Sequence, residues 1–140
     1  SDKNIPTSLA LTIEGGHDDL ITQIDMINQY GIVSIVNLGV LPKEEVCRLY
    51  AQSKCLIFPS TQETFGLSLI ESVNMGLDVI ASDLPYVYQS IKPSLVFNPE
   101  SSEDIADKLK IYLSTITRKS NALINNEIIK LIRLLIKEEI

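Results

Sequence analysis

Short apolar runs alternate with amphipathic segments along most of this 140-residue chain. Short apolar runs predict buried strands, and longer segments with an apolar residue every three or four positions predict helices. We predict strands near 9–14, 33–37, 55–58, 78–81 and 94–97, and helices near 18–30, 43–52, 66–75, 84–91 and 102–115. Successive strands joined through helices produce a parallel sheet covered on both faces. The predicted fold class is therefore α/β, a Rossmann-like three-layer sandwich with a parallel sheet.

The length and composition fit one domain followed by a tail. With 45% hydrophobic and 21% charged residues, the composition is that of an ordinary globular domain, and no apolar run approaches the roughly 20 residues that span a bilayer. We predict a Rossmann-like domain over 1–116 and a C-terminal helical extension over 117–140, packed on the same domain. Contact of this basic amphipathic tail with a membrane surface is the alternative. The predicted location is cytoplasmic, with peripheral contact at the inner face of the membrane as an open possibility.

The charged and metal-binding side chains exclude several classes of function. Residues 1–116 hold 7 Lys and Arg against 15 Asp and Glu, which argues against a nucleic-acid partner. His17 is the only histidine, and the two cysteines, Cys47 and Cys55, are too far apart for a Cys-x2-Cys pair. A metal site with several imidazoles is therefore impossible. Reduced, structural thiols are the favoured interpretation of the cysteines.

The segment 59–76 contains the most informative motif. Two carboxylates, Glu63 and Glu71, have seven residues between them, and a helix is predicted to begin between them near Gly66. Glu63 then lies on a loop after a buried strand, and Glu71 lies on the second turn of the helix. The first N–H groups of a helix have no intrahelical partner and attract anions. The motif predicts a phosphate site with one carboxylate on each side.

This segment resembles the E-x7-E signature of retaining GT-B glycosyltransferases, the glycosyl transferases group 1 family. The residues in register with that signature are Pro59, Ser60, Glu63, Thr64, Phe65, Gly66, Glu71 and Gly76. Further segments that match the family in the same order are 11–16, 36–45, 76–83 and 97–106. The resemblance covers roughly residues 8 to 115. It implies one half of a GT-B fold, the C-terminal domain that binds the nucleoside diphosphate sugar.

The resemblance also implies a role for each carboxylate. Glu63 would be the catalytic residue, which binds hydroxyls of the transferred sugar, and Glu71 would bind the ribose of the nucleotide. Backbone N–H groups would hold the diphosphate as its charge grows, and the residues that supply them would be Thr64, Phe65, Gly66 and Leu67.

Three residues earlier in the chain would complete the donor site. Leu41 would contact the base, and Gly15 and Gly16 would let another loop approach the donor closely. Turn geometry alone also explains the two glycines. The chain departs from the family at Gln89, where many members carry Glu, and at Asp78, which replaces a common Pro and is expected to affect only the turn.

The resemblance implies no cofactor and no metal, with the nucleotide-sugar donor as a substrate of a metal-independent transfer of a hexose-type sugar to an unknown acceptor. A second, N-terminal Rossmann domain would be the partner that carries the acceptor site, and an Arg and Lys upstream of this region would neutralise the diphosphate. The present region alone would then be inactive. The alternative is a GT-B-like scaffold or partner-binding module that has lost catalysis.

Overall fold

A computed structural model describes residues 8–31, 33–115 and 117–123 of the chain. The contacts divide the chain into two compact units, Ser1–Val46 and Cys47–Ile140. The predicted boundary between residues 116 and 117 stays a prediction. Among the described residues, no helix is both long and apolar enough to cross a membrane.

The first unit contains a parallel strand pair joined by a helix. Strand β1 (Ser8–Leu11) pairs with strand β2 (Ser34–Asn37) in parallel, and helix α1 (Asp18–Gln29) connects them. Strand β1 was predicted to continue to residue 14, but its ladder ends earlier. The N–H of Ile13 donates to the side chain of Asn37 at 2.9 Å instead of to a strand.

The second unit contains most of the remaining elements. Helix α2 (Lys43–Gln52) runs across the boundary between the units. The elements that follow are strand β3 (Cys55–Phe58), helix α3 (Leu67–Asn74), strand β4 (Asp78–Ser82), helix α4 (Pro85–Ser90), strand β5 (Ile91–Lys92), strand β6 (Leu95–Phe97), helix α5 (Ser102–Ser114) and strand β7 (Asn121–Ala122).

The core of the second unit forms around β4. Strands β3, β4 and β6 pair in parallel in that order, and all five residues of β4 are buried. The buried residues that pack together come from β4, from the helices on either side of it in the chain and from the start of β5: Leu69, Val79, Ala81, Val87 and Ile91. Each strand and helix predicted between residues 9 and 115 is present, and the α/β, Rossmann-like class is confirmed.

One short sheet was not predicted. Strands β5 and β7 are antiparallel, with Ile91 opposite Ala122 and Lys92 opposite Asn121. The helical extension predicted over 117–140 includes Asn121 and Ala122, so these two residues were assigned wrongly. Two-residue strands carry no periodic pattern, which explains the error. Residues 124–140 of the predicted extension lie outside the described residues.

Hydrogen bonds join the residues on both sides of β7 to the rest of the second unit. The buried Ser120 hydroxyl accepts the N–H of Val79 at 2.8 Å and lies 2.9 Å from the hydroxyl of Ser94. The N–H of Leu123 donates to the carbonyl of Ser90 at 3.0 Å. Residues 120–123 are therefore part of the packing of the second unit.

Asp78 has a larger role than the turn effect predicted for it. It begins β4, is only 7% exposed, and accepts the hydroxyl of Tyr112 at 2.9 Å. The Lys119 ammonium lies 3.3 Å from both carboxylate oxygens. Burial, together with the hydrogen bond to Asp78, raises the pKa of Tyr112. The prediction that Asp78 affects only the turn was wrong, because Tyr112 and Lys119 lie far along the chain from it and leave no local pattern in the sequence.

The hydrogen bonds of Ser120 give a testable consequence for stability. In Ser120→Ala the buried N–H of Val79 loses its acceptor, so we expect a loss of about 1–3 kcal/mol in the free energy of unfolding. Urea denaturation followed by circular dichroism measures this loss. The matched control is Ser114→Ala, because the Ser114 hydroxyl donates to a helix carbonyl at an exposed position. If Ser120→Ala lowers the free energy of unfolding no more than Ser114→Ala does, the role of Ser120 in stability is contradicted.

Candidate functional site

The candidate site lies where β3 and β4 end. The ladder places Phe58 opposite Ala81, so both strands end at the same edge of the sheet. The chain leaves β3 through the loop 59–66 and leaves β4 through Asp83 and Leu84 into α4. Between these two connections lies a cavity of about 730 Å³, called the Glu63 cavity, lined by Thr61, Gln62, Glu63, Thr64, Leu84, Pro85, Tyr86 and Gln89.

Glu63 is the only charged residue among those that line the Glu63 cavity. Its side chain is exposed, and its predicted action on a sugar stays a prediction. Gln89, the residue at which the chain departs from the family pattern, lines the same cavity. An amide there donates and accepts hydrogen bonds but adds no charge beside Glu63.

Tyr86 holds the loop that carries Glu63. Its hydroxyl donates to the carbonyl of Ser60 at 2.6 Å, and its ring meets Phe58 edge-on with 6.4 Å between ring centroids. Burial raises the pKa of Tyr86, and the negative charge of Glu63 adds to the rise. The phenol therefore stays protonated at neutral pH and continues to donate. Sequence reasoning missed Tyr86 because it lies 26 residues from Ser60.

Gly66 sets the start of α3. Its φ of +57° is left-handed, and its carbonyl accepts the first helical bonds from Leu69 at 3.0 Å and Ile70 at 3.3 Å. The N–H groups of Gly66, Leu67 and Ser68 precede those bonds, as predicted. The first turn of α3 has no acidic residue, so no carboxylate from that turn occupies the positive end of the helix dipole.

The residues on either side of Gly66 differ from it in exposure. Phe65 is 73% exposed and Leu67 is 59% exposed, whereas Gly66 itself is buried. A Cβ on Gly66 would come within 3.1 Å of the Ser90 hydroxyl oxygen and 3.4 Å of Leu69. The left-handed backbone conformation therefore favours glycine, and the packing against α4 leaves little room for a side chain.

Glu71 lies on the second turn of α3 and is half-buried. Burial raises the pKa of Tyr50, and the charge of Glu71 contributes to that rise. The Tyr50 hydroxyl also forms a hydrogen bond with Ser68. Glu71 is thus beside a neutral phenol from α2, and no local pattern in the sequence indicates this neighbour.

The other three predicted site residues belong to the first unit. Gly16 has a φ of +98°, a backbone conformation that favours glycine, whereas Gly15 does not have a positive φ. A Cβ added to either residue would meet nothing within 4 Å. Leu41 is half-buried in the loop after β2. The side chain of Asn37 joins both loops, because its oxygen accepts the N–H groups of Ile13 at 2.9 Å and Gly39 at 3.1 Å. Contact of these residues with a donor stays a prediction.

A second cavity, of about 590 Å³ and called the Asp83 cavity, shares Thr61 and Leu84 with the Glu63 cavity. Its other lining residues are Asp83, Val96, Asn98, Pro99, Glu100, Asp104 and Lys108. Three of these are acidic, and the one cation, Lys108, pairs with Asp104 at 3.2 Å. Asp104 also accepts the N–H of Asn98 at 2.7 Å, and that bond, followed by the one from Lys108, lowers its pKa.

The described part of the chain contains no group of three or more His, Cys, Asp or Glu side chains that could hold a metal ion. Both cysteines, Cys47 and Cys55, are free thiols, as predicted. Burial raises the pKa of the Cys55 thiol, and the charge of Asp78 adds to that effect. Cys55 is half-buried, and a thiol with a raised pKa is a poor nucleophile.

Comparison with known proteins places these features in a family context. The family described as Glycosyl transferases group 1 matches residues 3–129. The sulfoquinovosyl transferase of Arabidopsis thaliana is 33% identical over 81 residues, which is 54% of this chain and 16% of that protein. The UDP-N-acetylglucosamine–peptide N-acetylglucosaminyltransferase GtfA subunit of Streptococcus pneumoniae is 30% identical over 99 residues, which is 69% of this chain and 19% of the subunit.

A third relative is the serotype-specific mannosyltransferase WbdA of Escherichia coli. It is 40% identical over 73 residues, which is 51% of this chain and 9% of that protein. The chain thus spans less than a fifth of the length of each of these three relatives.

The close packing of Gly66 against Ser90 can be tested by a double-mutant cycle. Gly66→Ala forces alanine into a left-handed conformation, which costs about 1–2 kcal/mol, and also brings its Cβ against the Ser90 oxygen. We expect the substitution to cost less in a Ser90→Ala background, where that oxygen is absent. Urea denaturation of the four proteins measures both costs. Equal costs in the two backgrounds would contradict the close contact.

The hydrogen bond from Tyr86 to Ser60 predicts a change in loop protection. Tyr86→Phe keeps the ring beside Phe58 but removes the donor, so we expect faster amide hydrogen exchange over residues 60–63 and a loss of about 1 kcal/mol in stability. Tyr88→Phe is the control, because Tyr88 lies on the same helix but donates to Asp83 at 2.5 Å. Unchanged exchange in Tyr86→Phe would show that the loop is held by other contacts.

The same bond predicts a pH dependence. The pKa of Tyr86 is raised above its ordinary value of 10.0 in the folded chain. The stabilisation from this group is therefore fully present below pH 10 and is lost as the pH rises through the folded pKa. Nuclear magnetic resonance of labelled tyrosine ring carbons, assigned with Tyr86→Phe, measures the folded pKa. Titration of Tyr86 below 10 would contradict the prediction.

Proposed function

The chain belongs to the glycosyl transferases group 1 family, and on that premise we propose that it binds the nucleoside diphosphate sugar donor of a retaining glycosyltransferase. One observation carries the proposal. Glu63 lies on the loop before α3 and Glu71 lies on the second turn of that helix, and Glu63 lines a cavity at the carboxyl ends of parallel strands. Ligands of α/β folds bind at that edge of the sheet.

The proposed diphosphate site is the start of α3. The N–H groups of Thr64, Phe65, Gly66 and Leu67 would bind the diphosphate oxygens, with the helix dipole adding attraction. The left-handed Gly66 supports this arrangement, because it turns the chain sharply into the helix without a side chain in the way. The flanking residues Phe65 and Leu67 are exposed, so the loop that leads into α3 is at the surface.

Glu71 would accept two ribose hydroxyls. It is half-buried, and the neighbouring Tyr50 and Ser68 restrict its surroundings. A carboxylate has two oxygens that each accept, so it suits a pair of adjacent hydroxyls. Leu41, Gly15 and Gly16 would complete the nucleotide side of the site, with Leu41 against the base.

Glu63 would bind the transferred sugar in the Glu63 cavity. As the bond from the sugar to the diphosphate breaks, positive charge develops at the reacting carbon and negative charge on the diphosphate. Glu63 would stabilise the first, and the fixed N–H donors at α3 would stabilise the second. Removal of one preorganised side-chain donor costs about 3–4 kcal/mol of transition-state stabilisation in other enzymes. The bond to Tyr86 keeps the Glu63 loop in place.

The transfer would be independent of metal, because the helix N-terminus together with the upstream Arg and Lys would neutralise the leaving diphosphate. A second Rossmann domain would carry the acceptor, so this chain by itself would bind donor without transferring sugar. Domain 1–116 would bind the donor, with the tail packed on it, in the cytoplasm.

The proposal predicts that one nucleotide binds and that binding needs Glu71. We expect one of UDP, GDP and ADP to bind in isothermal titration calorimetry, and Glu71→Ala to weaken that binding about tenfold to a hundredfold, because charge-assisted hydrogen bonds are lost. The control is Glu103→Ala, an exposed glutamate on α5. Affinity should be unchanged when a chelator removes divalent metal ions.

Two results would contradict the proposal. The first is that no nucleotide binds at millimolar concentration. The second is that Glu71→Ala binds the nucleotide as tightly as the unchanged chain. Either result would favour the alternative function, a GT-B-like scaffold that binds a partner protein without catalysis.

A further inference from the structure

We infer that the Glu63 cavity selects an uncharged hexose and disfavours a sugar that carries a carboxylate or a sulfonate. The inference rests on the proposed function, since it assigns a class of sugar to the same site. It depends on the charges that surround the cavity, which the sequence motif does not specify.

The lining of the Glu63 cavity suits a neutral polyol. Its polar groups are the hydroxyls and amides of Thr61, Gln62, Thr64 and Gln89, and its single charge is on Glu63. Sugar hydroxyls donate to the carboxylate and both donate to and accept from amides, so every group finds a partner. No lining residue is Lys, Arg or His, so an anionic group on the sugar would meet Glu63 without a compensating cation.

The remaining polar group of the cavity is not available to bind an anion. The Tyr86 hydroxyl already donates its one proton to the Ser60 carbonyl at 2.6 Å. If an anion took that proton, the loop that carries Glu63 would lose its bond to α4. Gln89 is neutral, so its amide can orient a hydroxyl but cannot offset the charge of an acid.

The adjoining Asp83 cavity does not relieve this repulsion. Three carboxylates line it, those of Asp83, Glu100 and Asp104. Its one cation, Lys108, is already paired with Asp104 at 3.2 Å. A sugar carboxylate that turned away from Glu63 through the shared edge at Thr61 and Leu84 would therefore enter a second acidic space.

The test compares nucleotide sugars that differ only at C6. Titration calorimetry of the 140-residue chain uses paired UDP, GDP and ADP sugars, one of each pair with a hydroxymethyl group and the other with a carboxylate. For the nucleotide that binds, we expect the acidic sugar to bind about tenfold more weakly at low salt, because it faces a like charge. In about 0.5 M salt the ratio of the two dissociation constants, acidic sugar to neutral sugar, should fall, because salt screens the repulsion at a solvent-exposed site.

A variant separates charge from shape. Glu63→Gln keeps the size of the side chain and removes its charge, so the ratio between acidic and neutral sugar should fall to about threefold or less. Glu103→Gln makes the same change in net charge at a position that lines neither cavity, and it should leave the ratio unchanged.

Each failure has a distinct meaning. Equal or tighter binding of the acidic sugar, or an unchanged ratio in Glu63→Gln, would overturn this inference while the nucleotide still binds and the proposed function stands. Failure of UDP, GDP and ADP themselves to bind would overturn the proposed function and the inference with it. Circular dichroism of each variant identifies a loss of binding that comes from unfolding.

Discussion

Strand β4 lies between β3 and β6 with all its residues buried, and the geometry of the site depends on that position. A buried strand with a parallel neighbour on each side cannot shift register without moving its side chains out of the core. The ends of β3 and β4 are therefore held at one edge, and the two connections that leave them must face each other. Tyr86 on one connection can then reach Ser60 on the other. The cavity beside Glu63 follows from strand order before any side chain is considered.

The electrostatics of the proposed donor site combine long-range repulsion with short-range attraction. The chain has a net charge of −6, so a diphosphate is repelled at distances up to roughly the Debye length, about 10 Å at 0.1 M salt. Within contact distance, N–H groups at the start of α3 attract it without any cation in the first turn. Uncharged N–H donors attract an anion only at hydrogen-bond distance. The site would thus bind a diphosphate in one position only, and cations from another domain would raise its affinity for the diphosphate.

Local periodicity was sufficient to predict most of the fold. The bounds of α2 and β3 match the predicted ranges, and Glu71 lies on the second turn of α3 as its spacing from Gly66 required. The features that were missed depend on residues far apart in the chain. Asp78 meets Tyr112 34 residues later, and Tyr86 meets Ser60 across 26 residues. Such pairs leave no pattern in a single sequence, because the residues around a tyrosine do not indicate which distant residue it contacts.

The bond between Ser120 and Val79 also bears on how the chain folds during synthesis. The two residues are 41 positions apart, so β4 is made well before its partner. At about 5–20 residues per second, that interval is on the order of a few seconds. During it, the amide of Val79 has no acceptor from Ser120, and β5 has no strand opposite it. The second unit therefore reaches its lowest free energy only after Leu123 is synthesised, and until then an unpaired strand edge is open to other nascent chains.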